Sequence, residues 1–595
     1  MREHDPGREY ERRLEGLRQL EARQKRMDAG LGYLMVFLLL AGVVFVIWIL
    51  TVRTRLIAWV ALPALLLVIF GVMHERVIRA LRRTARAIAF YERGLARLRD
   101  QWAGSGESGE RFANPNHVYA RDLDVFGKGS VFELLCSSRT NSGQETLAEW
   151  LLAPANPDEV RLRQAAVDDL RNRLDFREGL AVVGEDIRAE VKPELLAAWG
   201  EKKAQAVPGA MRIAVFALAA FWVFGVAAWA EWGSWQILLL ATVINSVVSY
   251  KFRELSERSA GAVEGAARDL RLLSQVFGRL EREPFSAPKL SALQAVLRSE
   301  GLRASDCIAR LNRRVELLIS SRNLIVETLD RFVLWSLQWC LSIEAWREKH
   351  GLSVRKWLEA SGEIEALSDL AAYAYENPAD PFPEFTDDAP CFDAEGLAHP
   401  LLPESRAVRN DLKLTRNFQL MMISGPNMAG KSTLVRAVGV NAVLAQCGAP
   451  VRARRLRISR LAVGASVCVL DSLQGGISRF YAEIARLKLI VDMARGGSPA
   501  LFLLDELLQG TNSHDRRTGA EAIARSLLER GAAGLITTHD LALAEIAELL
   551  RPSAANFHFE DRLENGKLIF DYRLSPGPVQ TSNALNLMRS IGLDV

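Results

Sequence analysis

The chain has six cysteines in 595 residues, Cys136, Cys307, Cys340, Cys391, Cys447 and Cys468, and none stands in a C-x-x-C pair. That scatter argues against a zinc site or a disulfide framework and predicts buried thiols in a reducing cytoplasm. Net charge is nearly absent: 75 Lys and Arg against 71 Asp and Glu leave +4. A surplus this small does not by itself announce a nucleic-acid partner. There is no internal repeat or low-complexity tract, and a hydrophobic share of 49% with a charged share of 25% excludes a disordered or collagen-like chain. At this length three or more packed units are expected.

Charge is missing altogether from several stretches. Residues 31–50 (LGYLMVFLLLAGVVFVIWIL) hold none, and residues 56–73 (LIAWVALPALLLVIFGVM) form a second such run after the link Thr51–Arg55. Each can cross a bilayer core of roughly 30 Å, which takes about 20 helical residues. A signal peptide would have a shorter apolar core, a cleavage site and no second run, so the pair reads as a transmembrane hairpin. A second pair lies at 213–230 and 235–250, joined by Glu231–Ser234. Its last run is short and carries Gln236, Asn245 and Ser246, which leaves a buried soluble helix hairpin as the alternative.

The arginines set the expected orientation. Arg8, Arg12, Arg13, Arg18 and Arg23 precede the first run, and Arg76, Arg79, Arg82, Arg83 and Arg86 follow the second. Lys202 and Lys203 precede the second pair, and Lys251 and Arg253 follow it. Both pairs should therefore dip outward from a cytoplasmic face of a cell (inner) membrane and return, with the N-terminus inside. The same clusters can attract anionic lipid, with a DNA patch as the alternative.

Between these runs the chain reads as helix. Residues 8–28 space Leu14, Leu17 and Leu20 among charges, and 76–101 look similar, forming either a stalk or a solvated helix pair. Residues 252–375 are almost continuously helical by periodicity, and Pro378, Pro381, Pro383, Pro390 and Pro400 mark a boundary. Beyond residue 385, apolar runs at Phe418–Ser424, Ala500–Leu504 and Gly534–Thr538 alternate with helical stretches, as in a parallel sheet with crossover helices.

One junction carries chemistry. Gly425-Pro426-Asn427-Met428-Ala429-Gly430-Lys431-Ser432 fits G-x-x-x-x-G-K-[ST] between an apolar strand and a helix expected near Thr433. Glycines there let backbone N–H groups close on phosphate oxygens, the helix N-terminus adds its dipole, Lys431 reaches the β and γ phosphates, and Ser432 can ligate Mg²⁺. Downstream, Leu501-Phe502-Leu503-Leu504-Asp505-Glu506 ends a buried strand in two acids. Asp505 is expected in the Mg²⁺ shell, and Glu506 as the group that orients and deprotonates the attacking water. His539, after Gly534–Thr538, is a candidate γ-phosphate sensor. A lone histidine more often has a structural role, so its assignment leans on a resemblance.

That resemblance is to the MutS family of DNA mismatch-repair proteins. Residues 425–433, Gly-Pro-Asn-Met-Ala-Gly-Lys-Ser-Thr, are similar to its G-P-N-M-x-G-K-S-T, with Asn427 distinctive, and Ala398–Leu402 resembles its H-P-L-L element. Ser478–Glu483 is similar to S-T-F-M-x-E, Asp505–Thr511 to D-E-x-x-x-G-T, and Thr537-Thr538-His539 to T-T-H. Tyr572–Leu593 resembles the family's end, and Leu123–Leu135 with Leu147–Pro154 the start of its helical core.

The resemblance implies an α/β P-loop NTPase domain with an ABC/MutS-type parallel sheet, preceded by an all-α core and lever region into which the transmembrane hairpins are set. The expected units are a basic helix at 1–30, hairpins at 31–75 and 208–250, a juxtamembrane helix at 76–114, core segments at 115–207 and 251–384, and an ATPase at 385–595. It further implies ATP held by residues 425–433 and a head-to-tail homodimer, with Ser478 of one subunit completing the other's site. Departures bear on function. No N-terminal α/β domain with a Phe-x-Glu wedge is legible, so direct mismatch reading is not expected and DNA remains a possible partner. Arg479 replaces threonine, and Leu508-Gln509 replaces Gly-Arg. The expected function is a membrane-integral MutS-like ATPase driving a conformational switch. The alternative is an ABC-transporter-like ATPase, suggested by the scrambled signature Ser472-Leu473-Gln474-Gly475-Gly476.

Overall fold

The computed structural model describes residues 5–52, 59, 61–183, 193–202, 209–252, 267–298, 301–320, 330, 332–426, 428–467, 479–564 and 567–579. Two long helices open it, α1 (Pro6–Val52) and α2 (Ala61–Leu98). Each has a charged part laced by i,i+4 pairs, such as Arg13 with Glu9 and Arg79 with Glu75, and an apolar part. The two lie against each other, and their charged parts close on the body of the protein around Tyr10. Its ring meets Tyr91 edge-on at 5.5 Å and stacks on Tyr375 at 5.6 Å. Gly94 makes room, because a Cβ there would stand 2.4 Å from Tyr10 Cε2.

The body is helical: α3 (Val131–Leu135), α4 (Asn141–Leu152), α5 (Pro157–Arg171), α6 (Leu174–Ala181), α7 (Pro193–Glu201), then the apolar pair α8 (Gly209–Trp232) and α9 (Trp235–Lys251). It continues through α10 (Ala267–Arg282), α11 (Pro288–Leu297), α12 (Ala304–Ile319) and α13 (Trp335–Glu376). The 42 residues of α13 make a rod of about 63 Å at 1.5 Å per residue. Its apolar positions, from Leu341 and Ile343 to Leu370 and Ala371, bury against α4, α5, α7, α11 and α12.

Polar joints fix both ends of the rod. Near its C-terminus Glu376 takes two bonds from Arg97 of α2, at 2.6 Å each, and one from the Tyr10 hydroxyl at 3.1 Å. About two turns and three turns earlier, respectively, Asp369 and Glu365 accept from the 137–140 loop. Asp369 receives the Ser137 N–H and hydroxyl and the Ser138 hydroxyl, while Glu365 receives Arg139 and Thr140 N–H. At the other end, Asn245 of α9 is fully buried and its amide donates to the carbonyls of Leu218 and Phe332. Trp222 of α8 stacks on Phe332 at 5.4 Å.

Among the described residues, three helices are long and apolar enough to cross a membrane by length and composition, within Pro6–Thr51, Ala61–Leu98 and Ala210–Trp232. The fourth run forms α9, whose 17 residues fall just short of that length.

The C-terminal part is a mixed α/β body. Its strands are β1 (Glu384–Phe385), β2 (Phe392–Leu397), β3 (Asn410–Leu414), β4 (Leu420–Ser424), β5 (Arg455–Ile458), β6 (Ala462–Ser466), β7 (Ala500–Leu504), β8 (Ala533–Thr538), β9 (Ala554–Glu564) and β10 (Lys567–Pro576). Its helices are α14 (Lys431–Cys447), α15 (Arg479–Ala494), α16 (Ser513–Glu529) and α17 (Leu541–Leu549). The larger sheet runs β10-β9-β4-β8-β7-β6, parallel except for the β10-β9 edge. A smaller sheet, β1-β5-β2-β3, lies beside it. Strands β4, β7 and β8 are buried along their whole length, which is why they read as unbroken apolar runs.

The helical body is joined to the α/β body through residues 117–125. Asp122 pairs with Arg486 of α15 and accepts the Val467 N–H, Asp124 pairs with Arg436 of α14 at 2.8 Å, and Leu123 fills the space left by Gly439. Cys136, Cys307, Cys340, Cys391 and Cys447 are buried free thiols, as expected, and Cys468 lies outside the described residues.

Candidate functional site

The central strand β4 runs into the 425–430 turn, and α14 starts at Lys431, two residues earlier than its sequence suggested. The turn needs left-handed backbone. Gly430 has φ 98°, and a Cβ on it would press within 3.0 Å of the Tyr572 ring. Met428 adopts φ 70° and its side chain is 85% exposed, so the backbone rather than the side chain lines the turn. Asn427 lies outside the described residues.

Lys431 points back across the turn. Its Nζ donates to the carbonyls of Gly425 and Pro426 at 2.8 and 2.9 Å and stands 3.9 Å from Glu506 Oε1. Burial pulls its ammonium below the ordinary lysine range, against the opposing pull of Glu506 and Asp505.

The acids sit on the turn after β7. Thr537, at the end of the neighbouring β8, donates its hydroxyl to Asp505 and accepts the Glu506 N–H at 3.0 Å. Glu506 itself has φ 51° and Leu508 φ 57°, so the turn carries strained non-glycine backbone at the carboxylate. The Leu508 N–H is held by Glu483 of α15. Gln509 donates its amide to Glu506, and His539 Nδ1 lies 3.6 Å from the same carboxylate.

A cavity of about 910 Å³ joins these pieces, within the size range of small-molecule pockets of about 300–1,000 Å³. Gly430, Lys431, Ser432, Thr433, Asp505 and Glu506 line one side. The other is made by Ala398, His399, Leu402 and Ser405–Val408, with Phe559 and Tyr572. His399 is buried and its imidazole is pushed down to about 4, which leaves it neutral at physiological pH.

Ser432 and Asp505, the two expected Mg²⁺ ligands, are hard oxygen donors on one cavity, which fits a cation that takes few protein ligands. Ser478 lies outside the described residues, as does the 472–476 signature. Tyr572, Phe559 and Arg406 were not singled out from sequence for this cavity. Tyr572 comes from a bulge between Phe570 and Leu574 in β10 and is fixed by Asn410, which donates to its carbonyl at 3.1 Å.

The MutS domain V family profile matches residues 421–594. DNA mismatch repair protein MutS of Natronomonas pharaonis is 34% identical over 252 residues, 40% of this chain and 28% of that protein. MutS of Thermus aquaticus is 37% identical over 201 residues, 33% of this chain and 23% of that protein. MutS of Methanosarcina mazei is 30% identical over 284 residues, 46% of this chain and 31% of that protein. The chain thus spans less than a third of the length of these curated relatives. The α/β C-terminal part of the chain is similar to the MutS family, with residues 421–594 matching its domain V.

Proposed function

We propose that the protein is a P-loop ATPase of the mismatch-repair type, anchored in a membrane, that uses ATP binding and hydrolysis to drive a dimeric conformational switch. One observation carries the reading. Lys431, Ser432, Asp505 and Glu506, drawn from two separate turns, line a single cavity with His539 against its acid.

In this reading the phosphates of ATP lie along the 425–433 turn and the base lies toward Leu402, Val408 and Tyr572. Lys431 exchanges the carbonyls of Gly425 and Pro426 for β and γ phosphate oxygens, a charge-assisted replacement. Ser432 and Asp505 would hold Mg²⁺, which when bound would supply positive charge against the phosphates. Glu506 accepts a proton from water as its oxygen bonds to the γ phosphorus and the bond to the β–γ bridging oxygen breaks, giving ADP and phosphate. Gln509 and His539 orient that carboxylate.

The membrane anchor is supported by large apolar side chains that the fold leaves exposed, Phe37, Val44, Ile213, Phe216 and Trp229 among them. Both ends of α13 are tied to an apolar helix pair, which gives motion at the nucleotide a rigid route to the spans. Ser478 is proposed to complete the partner subunit's site, and duplex or branched DNA to be a possible ligand.

The test is ATP turnover and nucleotide binding by the full-length protein in detergent. Lys431→Ala and Glu506→Gln are each expected to abolish hydrolysis, with Glu506→Gln still binding ATP. Normal turnover by Lys431→Ala sinks the proposal. Stimulation by mismatched, branched or ordinary duplex DNA, with its salt dependence, decides the DNA part.

A further inference from the structure

Three arginines gather at the root of the α8/α9 pair. Arg310 and Arg314 stand one turn apart on α12, and Arg212 is in the first turn of α8. Arg314 Nε donates to Ser342 Oγ of α13 at 2.8 Å, which holds the guanidinium still. Its Nη1 is buried and meets no acceptor. Burial, with the like charges of Arg212 and Arg310, pulls Arg314 below the ordinary arginine range. No ion pair joins any of the three to a carboxylate among the described residues.

Like charges held together with a buried, unused donor are unfavourable unless an anion completes them. Guanidinium forks match phosphate oxygens in charge and geometry. The neighbours indicate which phosphate. The uncharged run of α8 begins at Ile213, directly after Arg212, and Ile213 and Phe216 are 72% and 68% exposed. Met211 packs against the cluster of Val215, Leu334, Leu337 and Leu341, which sets the start of α8 beside the N-terminal part of α13 that carries Ser342. A phosphate there has apolar surface directly beside it, which suits an acyl chain and has nothing to offer a free ion.

We propose that Arg212, Arg310 and Arg314 bind the phosphate of an anionic phospholipid whose acyl chains lie along Ile213 and Phe216. The inference rests on the reading of α8 as a membrane span. By this assignment a lipid bridges α8 to α12, and through Ser342 to α13, so the anionic lipid content of the membrane sets how firmly the second helix pair grips the rod.

The experiment uses full-length protein extracted in mild detergent, with native mass spectrometry reading the phosphatidylglycerol and phosphatidylcholine it retains. Wild type is expected to keep phosphatidylglycerol in preference. Arg212→Gln is expected to lower that retention about fivefold, and the Arg310→Gln, Arg314→Gln pair more than tenfold. Unchanged ATP binding reports that the variants are folded, and Arg212→Gln, at an exposed position, supplies the result should the double variant fail to fold. Equal retention by wild type and Arg212→Gln overturns the proposal. So does displacement of the lipid by millimolar inorganic phosphate, which assigns a free-anion site, or by a short DNA duplex, which assigns a nucleic-acid contact. An alkaline wash of membranes separates the two layers of inference. Release of the protein removes the membrane reading and this proposal together, whereas retention in the pellet with arginine-independent lipid binding removes this proposal alone.

Discussion

The two ends of α13 are held by different chemistry. At Glu376 the grip is ionic and dry: Arg97 and Glu376 expose 7% and 2% of their side chains, with Tyr10 completing the carboxylate. Just ahead of the N-terminal end, at Phe332, the contacts to the second helix pair are neutral, one amide from Asn245 and one ring stack with Trp222. A buried ion pair tolerates little change, because removing either partner strands a charge, whereas an amide and a stack can be remade after a small slide. The difference suggests that the first helix pair moves with the rod and that the second can shift along it.

The largest expected effect tests the ionic end. Arg97→Ala leaves Glu376 buried without its cation and should destabilise the protein by about 3–5 kcal/mol in denaturant unfolding. A loss under about 1 kcal/mol, the size of an exposed pair, would erase the contrast. Next comes pH. Burial raises the Asp369 carboxyl from 3.8 to about 7, more than Ser137 and Ser138 can offset. The folded protein therefore holds a proton that the unfolded chain releases over that interval. Stability contributed here is greatest below about pH 4 and declines as pH rises toward 7, by at most about 1.4 kcal/mol per pH unit. Asp369→Asn should flatten that slope, and an unaltered slope assigns it to other groups. The smallest effect belongs to the neutral end. Asn245→Leu removes two bonds to carbonyls and should cost about 1–2 kcal/mol, read as faster proteolysis near residue 332 with ATP binding intact. A loss matching that of Arg97→Ala would make the two ends equivalent.

What the sequence discloses follows the range of the interaction involved. The runs at Ala500–Leu504 and Gly534–Thr538 announce β7 and β8 within a residue, since strands buried on both faces are apolar throughout. Lys431 and Glu506 are legible because phosphate chemistry demands a local spacing around each. Tyr572 is not, because its place over Gly430 depends on an irregular register in β10, well over a hundred residues downstream. Arg97 and Glu376 are 279 positions apart, and nothing in either helix names the other. Asn245 shows the limit most clearly. In the sequence it weakens the fourth apolar run, whereas the fold uses that polarity to join three backbone segments.

The length of α13 has a mechanical corollary. A stiff rod of about 63 Å pivoting on its ion-paired end magnifies small rotations, so a swing of about 5° carries the opposite tip some ~5 Å, close to one helical pitch. Sub-ångström closure around a nucleotide can therefore emerge at Phe332 as a displacement large enough to reseat one helix against another.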